Sequence, residues 1–261
     1  MDLGIVGKRA LVVGASQGLG RAVATALLAE GVNVFGAARS RAKIESWRTA
    51  LPTEAADRLD VQDLDLADPM SVDRLADALL ARGGVDILVN NCGGPAPGGV
   101  LDIAGDTWGK AFASMAASVF HLSDRLVRPM LERGWGRVIT IGSSGVEQPI
   151  PNLAVSNAIR GSVAGWSKSL AGEVAARGVT VNMVLPGRIA TERVESLDQN
   201  RAGTQNLAIE EVRQRSRAEI PAGRYGTPEE FAAVVAFLAG VPAAYVTGSM
   251  VRVDGGAIKS L

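Results

Sequence analysis

An α/β fold, one doubly wound parallel sheet with helices on both faces, is predicted by three observations. Short β-rich runs alternate with longer helical patterns along the whole chain, the order that produces a parallel sheet covered on both sides. No repeat, low-complexity tract or Pro/Ser-rich linker interrupts that alternation, so residues 1–261 are read as a single domain. The 261 residues, 47% hydrophobic and 21% charged, supply ample material for one large core.

The elements follow in order. "RALVVG" (9–14) reads as the first strand and roughly 18–30 as the first helix. "NVFGAA" (33–38) is the second strand, followed by a helix near 42–50. "DVQDLDL" (60–66) and a helix near 69–82 come next, then "VDILVN" (85–90) and one long helix near 105–132. "GRVITIG" (136–142) precedes a helix near 153–176, whose buried face is assigned to Leu153, Ala154, Ala158, Val163, Ala164 and Leu170. On another face of that helix Ser156 and Arg160 lie four apart. "VTVNMVL" (179–185), a helix near 228–239 and "MVRVDG" (250–255) complete the pattern. The polar stretch 190–224 has no strand of its own. An insertion of that length is usually functional, and it is read as a substrate lid, the alternative being a solvated surface helix.

Composition narrows the function. Lys plus Arg and Asp plus Glu both total 27, so net charge gives no case for nucleic acid or an anionic membrane. One cysteine, Cys92, excludes an internal disulfide, and one histidine, His121, argues against a Cys/His metal cage, so no metal is expected. No segment reads as a signal peptide or a membrane span, and the expected compartment is the cytoplasm.

"VVGASQGLGRAVA" puts Gly14, Gly18 and Gly20 between the first strand and the first helix. A dinucleotide pyrophosphate needs such a turn: the backbone must bend sharply and approach closely, and the helix N-terminus offers free N–H groups and a positive dipole end. The sheet is therefore Rossmann-like. After the second strand stand Arg39 and Ser40, where an acidic residue would select NAD. A cation there suits a phosphorylated ribose, so NADP(H) is expected over NAD(H). A merely solvated Arg39 would leave that preference undecided.

Beyond the glycine loop, "LDLADP" (64–69), "NNCGG" (90–94), "GSSG" (142–145), "LPGRIAT" (185–191), "GRYGTPEE" (223–230) and "VTGSMVRVDGG" (246–256) resemble the classical short-chain dehydrogenase/reductase family, in a layout close to 3-oxoacyl-(acyl-carrier-protein) reductases. The resemblance implies that Gly14, Ser16, Gln17, Gly18, Leu19 and Gly20 line the phosphate turn and that Arg39 and Ser40 hold the 2′-phosphate. It implies Asp65 and Leu66 at the adenine, and Asn91, Cys92 and Gly93 at the adenosine ribose. Pro186, Gly187, Ile189 and Thr191 would hold the carboxamide.

The family's catalytic set is Asn-Ser-Tyr-Lys. Alignment without gaps puts Ser143 at the serine, Ser156 at the tyrosine, Arg160 at the lysine and Met115 at the asparagine. Tyr225 and Tyr245 offer no other register, since neither is followed four residues later by lysine. A serine hydroxyl is a weaker, shorter acid than a phenol, and Arg160 keeps a charge that binds ribose but relays no proton. Glu147 and Gln148 are the outside candidates for proton donor. His121 reads as a helix-surface or interface residue, Cys92 as a small buried hydrophobe, Trp108, Trp135 and Trp166 as packing, and Trp47 as a partly exposed helix residue.

The expected activity is hydride transfer between NADP(H) and a small-molecule carbonyl or alcohol, with Ser143, Ser156 and Arg160 orienting the substrate. The alternative is a catalytically silent or regulatory dinucleotide-binding protein. Non-redox chemistry of the halohydrin dehalogenase kind is a third reading, but those proteins keep the tyrosine and lose the glycine loop. Family analogy implies a homodimer or homotetramer through the helices near 105–132 and 153–176.

Overall fold

In the computed structural model, which describes residues 1–260, seven parallel strands form one sheet in the order β3-β2-β1-β4-β5-β6-β7. They are β1 Arg9–Val13, β2 Asn33–Ala38, β3 Leu59–Asp63, β4 Ile87–Asn90, β5 Gly136–Ile141, β6 Val179–Pro186 and β7 Met250–Val253. Strand order reverses between β1 and β4, which opens a crevice at their carboxyl ends. The central strands β4, β5 and β6 are buried along almost their whole length because helices cover both faces, and they are mostly apolar, with Asn90, Arg137, Thr140, Thr180 and Asn182 as the buried polar exceptions.

One face is covered by α1 (Gly18–Ala29), α2 (Arg41–Arg48) and α10 (Pro228–Ala239). Their Val23, Leu27, Ile44, Phe231 and Val235 pack on Val12, Val34 and Val89. The other face carries α4 (Pro69–Ala81), α6 (Ser118–Arg133) and α7 (Ala154–Val174), whose Leu75, Leu79, Leu122, Leu126 and Val174 pack on Leu11, Leu88 and Val181. A short α3 (Thr53–Asp57), which the sequence pattern does not predict, precedes β3. No helix of the described chain is long and apolar enough to cross a membrane.

Three readings are corrected. The long helix near 105–132 is not uniform: α5 (Gly105–Phe112) passes through a π-helical turn, Ala113–Ala117, into α6. The inserted residue turns Met115 inward, to 6% exposure. In α7 the buried residues are Val155, Ser156, Ile159, Val163, Ser167, Ala171 and Val174; of the predicted face only Val163 is fully buried, Leu153, Ala154, Ala164 and Leu170 are half-buried, and Ala158 is exposed. The i, i+4 spacing of Val155, Ile159 and Val163 selects the face toward β6 and carries Ser167 and Ala171 inward with it. Trp47 is buried, 5% exposed, rather than partly exposed, because its indole packs behind the glycine loop.

The 190–224 segment folds as α8 (Glu192–Gln205) and α9 (Ile209–Ala218). Its base is fixed by buried Asp198, which accepts from Arg188 Nη1 at 2.5 Å and from the Tyr225 hydroxyl at 2.8 Å. Burial, the largest cause, pushes the Tyr225 phenol up from its ordinary value.

Candidate active site

The crevice between β1 and β4 gathers the residues assigned to a dinucleotide. Gly14 follows β1 at φ +70°, a conformation only glycine adopts freely. A Cβ on Gly20 would stand 2.1 Å from the Gly14 carbonyl oxygen, so α1 approaches the turn as closely as backbone permits. Ser16 and Leu19 are half-buried in this turn. Gln17, the residue before α1, makes no side-chain capping bond, and the first turn contains no acid. Instead Gln17 Oε1 accepts from Lys43 Nζ at 2.7 Å. The leading N–H groups of α1 are thus open toward the crevice, with the helix dipole behind them.

Arg39 and Ser40 follow β2. Arg39 is exposed with no ion pair among the described residues, whereas Arg41 beside it lies 3.5 Å from Asp63. Asp65 and Leu66 form the turn after β3: Asp65 Oδ1 accepts from Ala67 N, and the Leu66 carbonyl accepts from Ser118 Oγ. Beyond β4, Asn91 packs against Gly14 and Gly20 while Gly93 faces open space. Cys92 is half-buried, less enclosed than a core hydrophobe.

At the end of β6, Pro186 is half-buried, Gly187 N donates to Val253 O, and Ile189 bridges Gly226 in its buried place. Thr191 caps α8 and stands 3.8 Å from the Cβ position of Gly18. The two sets of assigned residues, on either side of the crevice, therefore meet at Gly18 and Thr191.

The catalytic candidates lie on the other side of Cys92. Ser143 Oγ accepts from Gly145 N at 3.1 Å, which leaves its own hydrogen free to donate. Ser156 is buried on α7 and its hydroxyl makes no hydrogen bond among the described residues. Arg160 donates from Nη1 to Ile141 O at 3.0 Å and from Nη2 to Cys92 O at 3.2 Å, joining the carboxyl ends of β4 and β5. Beneath it is a cavity of about 10 Å³ lined by Asn90, Met115, Thr140 and Met183. Asn90 Oδ1 and Thr140 Oγ1 are buried there without partners among the described residues, two acceptors that a single water would satisfy in an otherwise apolar cavity.

Two outside candidates resolve differently. Glu147 is not a free acid, since its Oε2 accepts from Arg252 Nε at 2.5 Å; Gln148 is exposed. His121 lies on the helical surface with Nε2 2.7 Å from Asp73 Oδ1, and this bond is the main cause of the lowered Asp73 pKa. Trp166 stacks on Phe120 with ring centroids 4.7 Å apart, and Trp135 lies under Lys8 and Arg137, both packing roles.

Two further residues shape the site with little signal of their own. Trp47 Nε1 donates to Ala15 O at 3.1 Å, propping the glycine loop from behind. Asn157 binds both polar groups of the Ile150 backbone and so fixes the loop before α7. A tryptophan near the end of the helix that follows the second strand, and an asparagine in the first turn of a helix, are the only hints in the sequence.

A family model described as enoyl-(acyl carrier protein) reductase matches residues 14–257. The 3-oxoacyl-(acyl-carrier-protein) reductase of Salmonella typhimurium is 39% identical over 254 residues, covering 96% of this chain and 97% of that one. The Vibrio cholerae reductase of the same name is 37% identical over 257 residues, covering 97% and 98%. Among solved structures, actinorhodin polyketide ketoreductase with NADPH has a TM-score of 0.91 at 34% identity, covering 97% of this chain and 98% of its own. L-Sorbose reductase from Gluconobacter frateurii, complexed with NADPH and L-sorbose, has a TM-score of 0.93 at 30% identity, with both chains covered in full.

Proposed function

The chain belongs to the short-chain dehydrogenase/reductase family, and we propose that it is a cytoplasmic NADP(H)-dependent oxidoreductase acting on a small carbonyl or alcohol substrate. The observation that carries this reading is the open N-terminus of α1 behind a glycine cradle, with unpaired Arg39 at the adjoining strand end. Those residues fit a phosphorylated dinucleotide: the N–H groups and dipole for its diphosphate, the guanidinium for its 2′-phosphate. The NADPH named with actinorhodin ketoreductase and L-sorbose reductase supports the same choice.

Gly14, Ser16, Gln17, Gly18, Leu19 and Gly20 would hold the diphosphate, Arg39 and Ser40 the 2′-phosphate, and Asp65, Leu66, Asn91, Cys92 and Gly93 the adenosine half. Pro186, Gly187, Ile189 and Thr191 would hold the nicotinamide half, with α8 and α9 as the substrate lid. The bound cofactor supplies or takes the hydride. Ser143 donates its free hydrogen to the substrate oxygen, Ser156 adds a second hydroxyl, and Arg160 contributes fixed positive charge. Arg160 keeps its protons at every working pH, so proton delivery falls to a hydroxyl or water, and turnover is expected ~10²- to 10⁴-fold below that with a full general acid. Phe112, Phe120 and Trp166, beside the uncrowded Gly161, Gly165 and Gly172, support pairing of α5–α6 and α7 with a second copy, in a homodimer or homotetramer.

A second reading, a silent dinucleotide-binding homologue, is favoured by one observation. Two N–H groups of Arg160 are already spent on Ile141 and Cys92. Titration of NADPH and NADH by nicotinamide fluorescence, then turnover of activated ketones and 3-oxoacyl thioesters by wild type and Ser143→Ala, separates the two. Tight NADPH binding with turnover lost in the variant supports the oxidoreductase. Binding without turnover supports the silent reading, and no binding of either cofactor overturns both.

A further inference from the structure

We propose that Arg160 and Arg193 form an anion-recognising pair that selects a substrate carrying its own carboxylate beside the reacting carbonyl. Resting on the oxidoreductase reading, this narrows the substrate class to oxo acids and their hydroxy acid counterparts.

Arg193 lies in the first turn of α8 and reaches back across the crevice. Its Nη2 donates to Pro95 O at 2.9 Å and lies 3.0 Å from the Cβ position of Gly94. Arg160 holds the same loop three residues earlier, through Cys92 O at 3.2 Å. The Cα atoms of residues 92 and 95 are at most about 11 Å apart, so the two guanidinium groups bracket one short stretch of backbone.

Neither group has a carboxylate partner among the described residues. On Arg193 this stands out, because every other arginine from 188 to 224 has one. Arg188 pairs with Asp198, Arg201 with Glu219, Arg213 with Glu195, Arg215 with Glu211, Arg217 with Glu210 and Arg224 with Glu230. Arg193 is exposed to the crevice, yet partial desolvation first, and then the charge of Arg160, lower its pKa. Two like charges facing one loop without a counter-ion are relieved by an anionic ligand, and the planar guanidinium fork matches a carboxylate.

A carboxylate and a cofactor phosphate offer the same chemistry to such a pair. The observations favour the substrate. Pro95, whose carbonyl Arg193 binds, lies three residues before Gly98, and Gly98 N donates to Asn152 O while Gly98 O accepts from Ala154 N, so the segment that Arg193 holds runs directly into the loop before α7. The diphosphate already has the α1 N-terminus.

The test compares wild type, Arg193→Gln and Arg193→Lys, each checked for its fold by circular dichroism. Malonate, a dicarboxylate that is not reduced, is titrated into the NADPH-loaded protein and read by nicotinamide fluorescence. kcat/KM is measured for acetoacetate and for its neutral methyl ester. Arg193→Gln is expected to weaken malonate at least tenfold and to lower the acetoacetate-to-ester ratio at least tenfold. Arg193→Lys should retain most of both, and the NADPH Kd should move less than twofold.

The proposal is overturned if malonate fails to bind wild type, or if malonate affinity and the ratio are unmoved by Arg193→Gln. It is also overturned if the NADPH Kd alone rises tenfold, which would assign the guanidinium to the cofactor phosphates. Arg193-dependent malonate binding without turnover of any carbonyl would support the anion pair while removing the oxidoreductase reading.

Discussion

Arg160 Nη2 donates to the carbonyl oxygen of Cys92 at 3.2 Å, and its Nη1 holds Ile141 O at 3.0 Å. The cation therefore ties β4 to β5 at the floor of the crevice while presenting charge to it. Arg160→Ala leaves two part-buried carbonyls unpaired, and the expected loss is about 1–3 kcal/mol for each that water does not reach. Urea unfolding measures it. Arg160→Lys keeps charge but offers one rotatable head in place of a fork, and should fall between alanine and wild type. Equal midpoints for all three proteins would show that the clamp contributes nothing.

Arg39 is exposed and unpaired at the end of β2, beside an Arg41 already engaged with Asp63. A charge-assisted bond to a 2′-phosphate contributes roughly 1.5–3 kcal/mol. Arg39→Glu should therefore weaken NADPH about tenfold to a hundredfold and leave NADH nearly unchanged or improved. Paired fluorescence titrations read both constants. Parallel weakening of the two cofactors would mean that Arg39 does not discriminate between them.

Trp47 braces the phosphate turn through its bond to Ala15 O. Trp47→Phe keeps most of the apolar packing and deletes the donor, stranding a buried carbonyl at a cost of about 1–3 kcal/mol. Because that carbonyl belongs to the glycine loop, NADPH affinity should fall with stability. A loss of stability with an unaltered Kd would confine Trp47 to the core.

How much of this was legible follows from the range of the forces involved. The helix near 228–239 matches α10, Pro228–Ala239, because its start is written locally: Thr227 and Glu230 form a reciprocal capping box around Pro228. The glycine loop was legible because its close backbone approach excludes other residues. The π-turn at Ala113–Ala117 was not, since nothing in "AFASMAASVF" disfavours a regular helix. Nor was the rotation of α7, where tertiary contact with β6 chose between two apolar faces. The role of Trp47 depends on a partner thirty-two residues away, and that of Arg193 on a loop ninety-eight residues away; neither pairing has a local signature. Ser143, Ser156 and Arg160 were placed by motif alignment, and their spacing on the folded chain required the strand ends to be set first.

The same capping box gives a pH dependence with a defined sign. Arg224 first, and then the Thr227 backbone N–H, hold the Glu230 carboxyl at about 2, below its ordinary 4.5. A carboxylate whose folded pKa is depressed binds fewer protons in the native state than in the unfolded one. Its contribution is full above about 4.5 and is lost as pH falls from there toward about 2. Glu230→Gln removes the charge, so it should unfold at lower urea than wild type near pH 6, and the gap should narrow by pH 3. A gap of constant size across that range would mean that hydrogen-bond geometry, rather than the charge held beside Arg224, supports the start of α10.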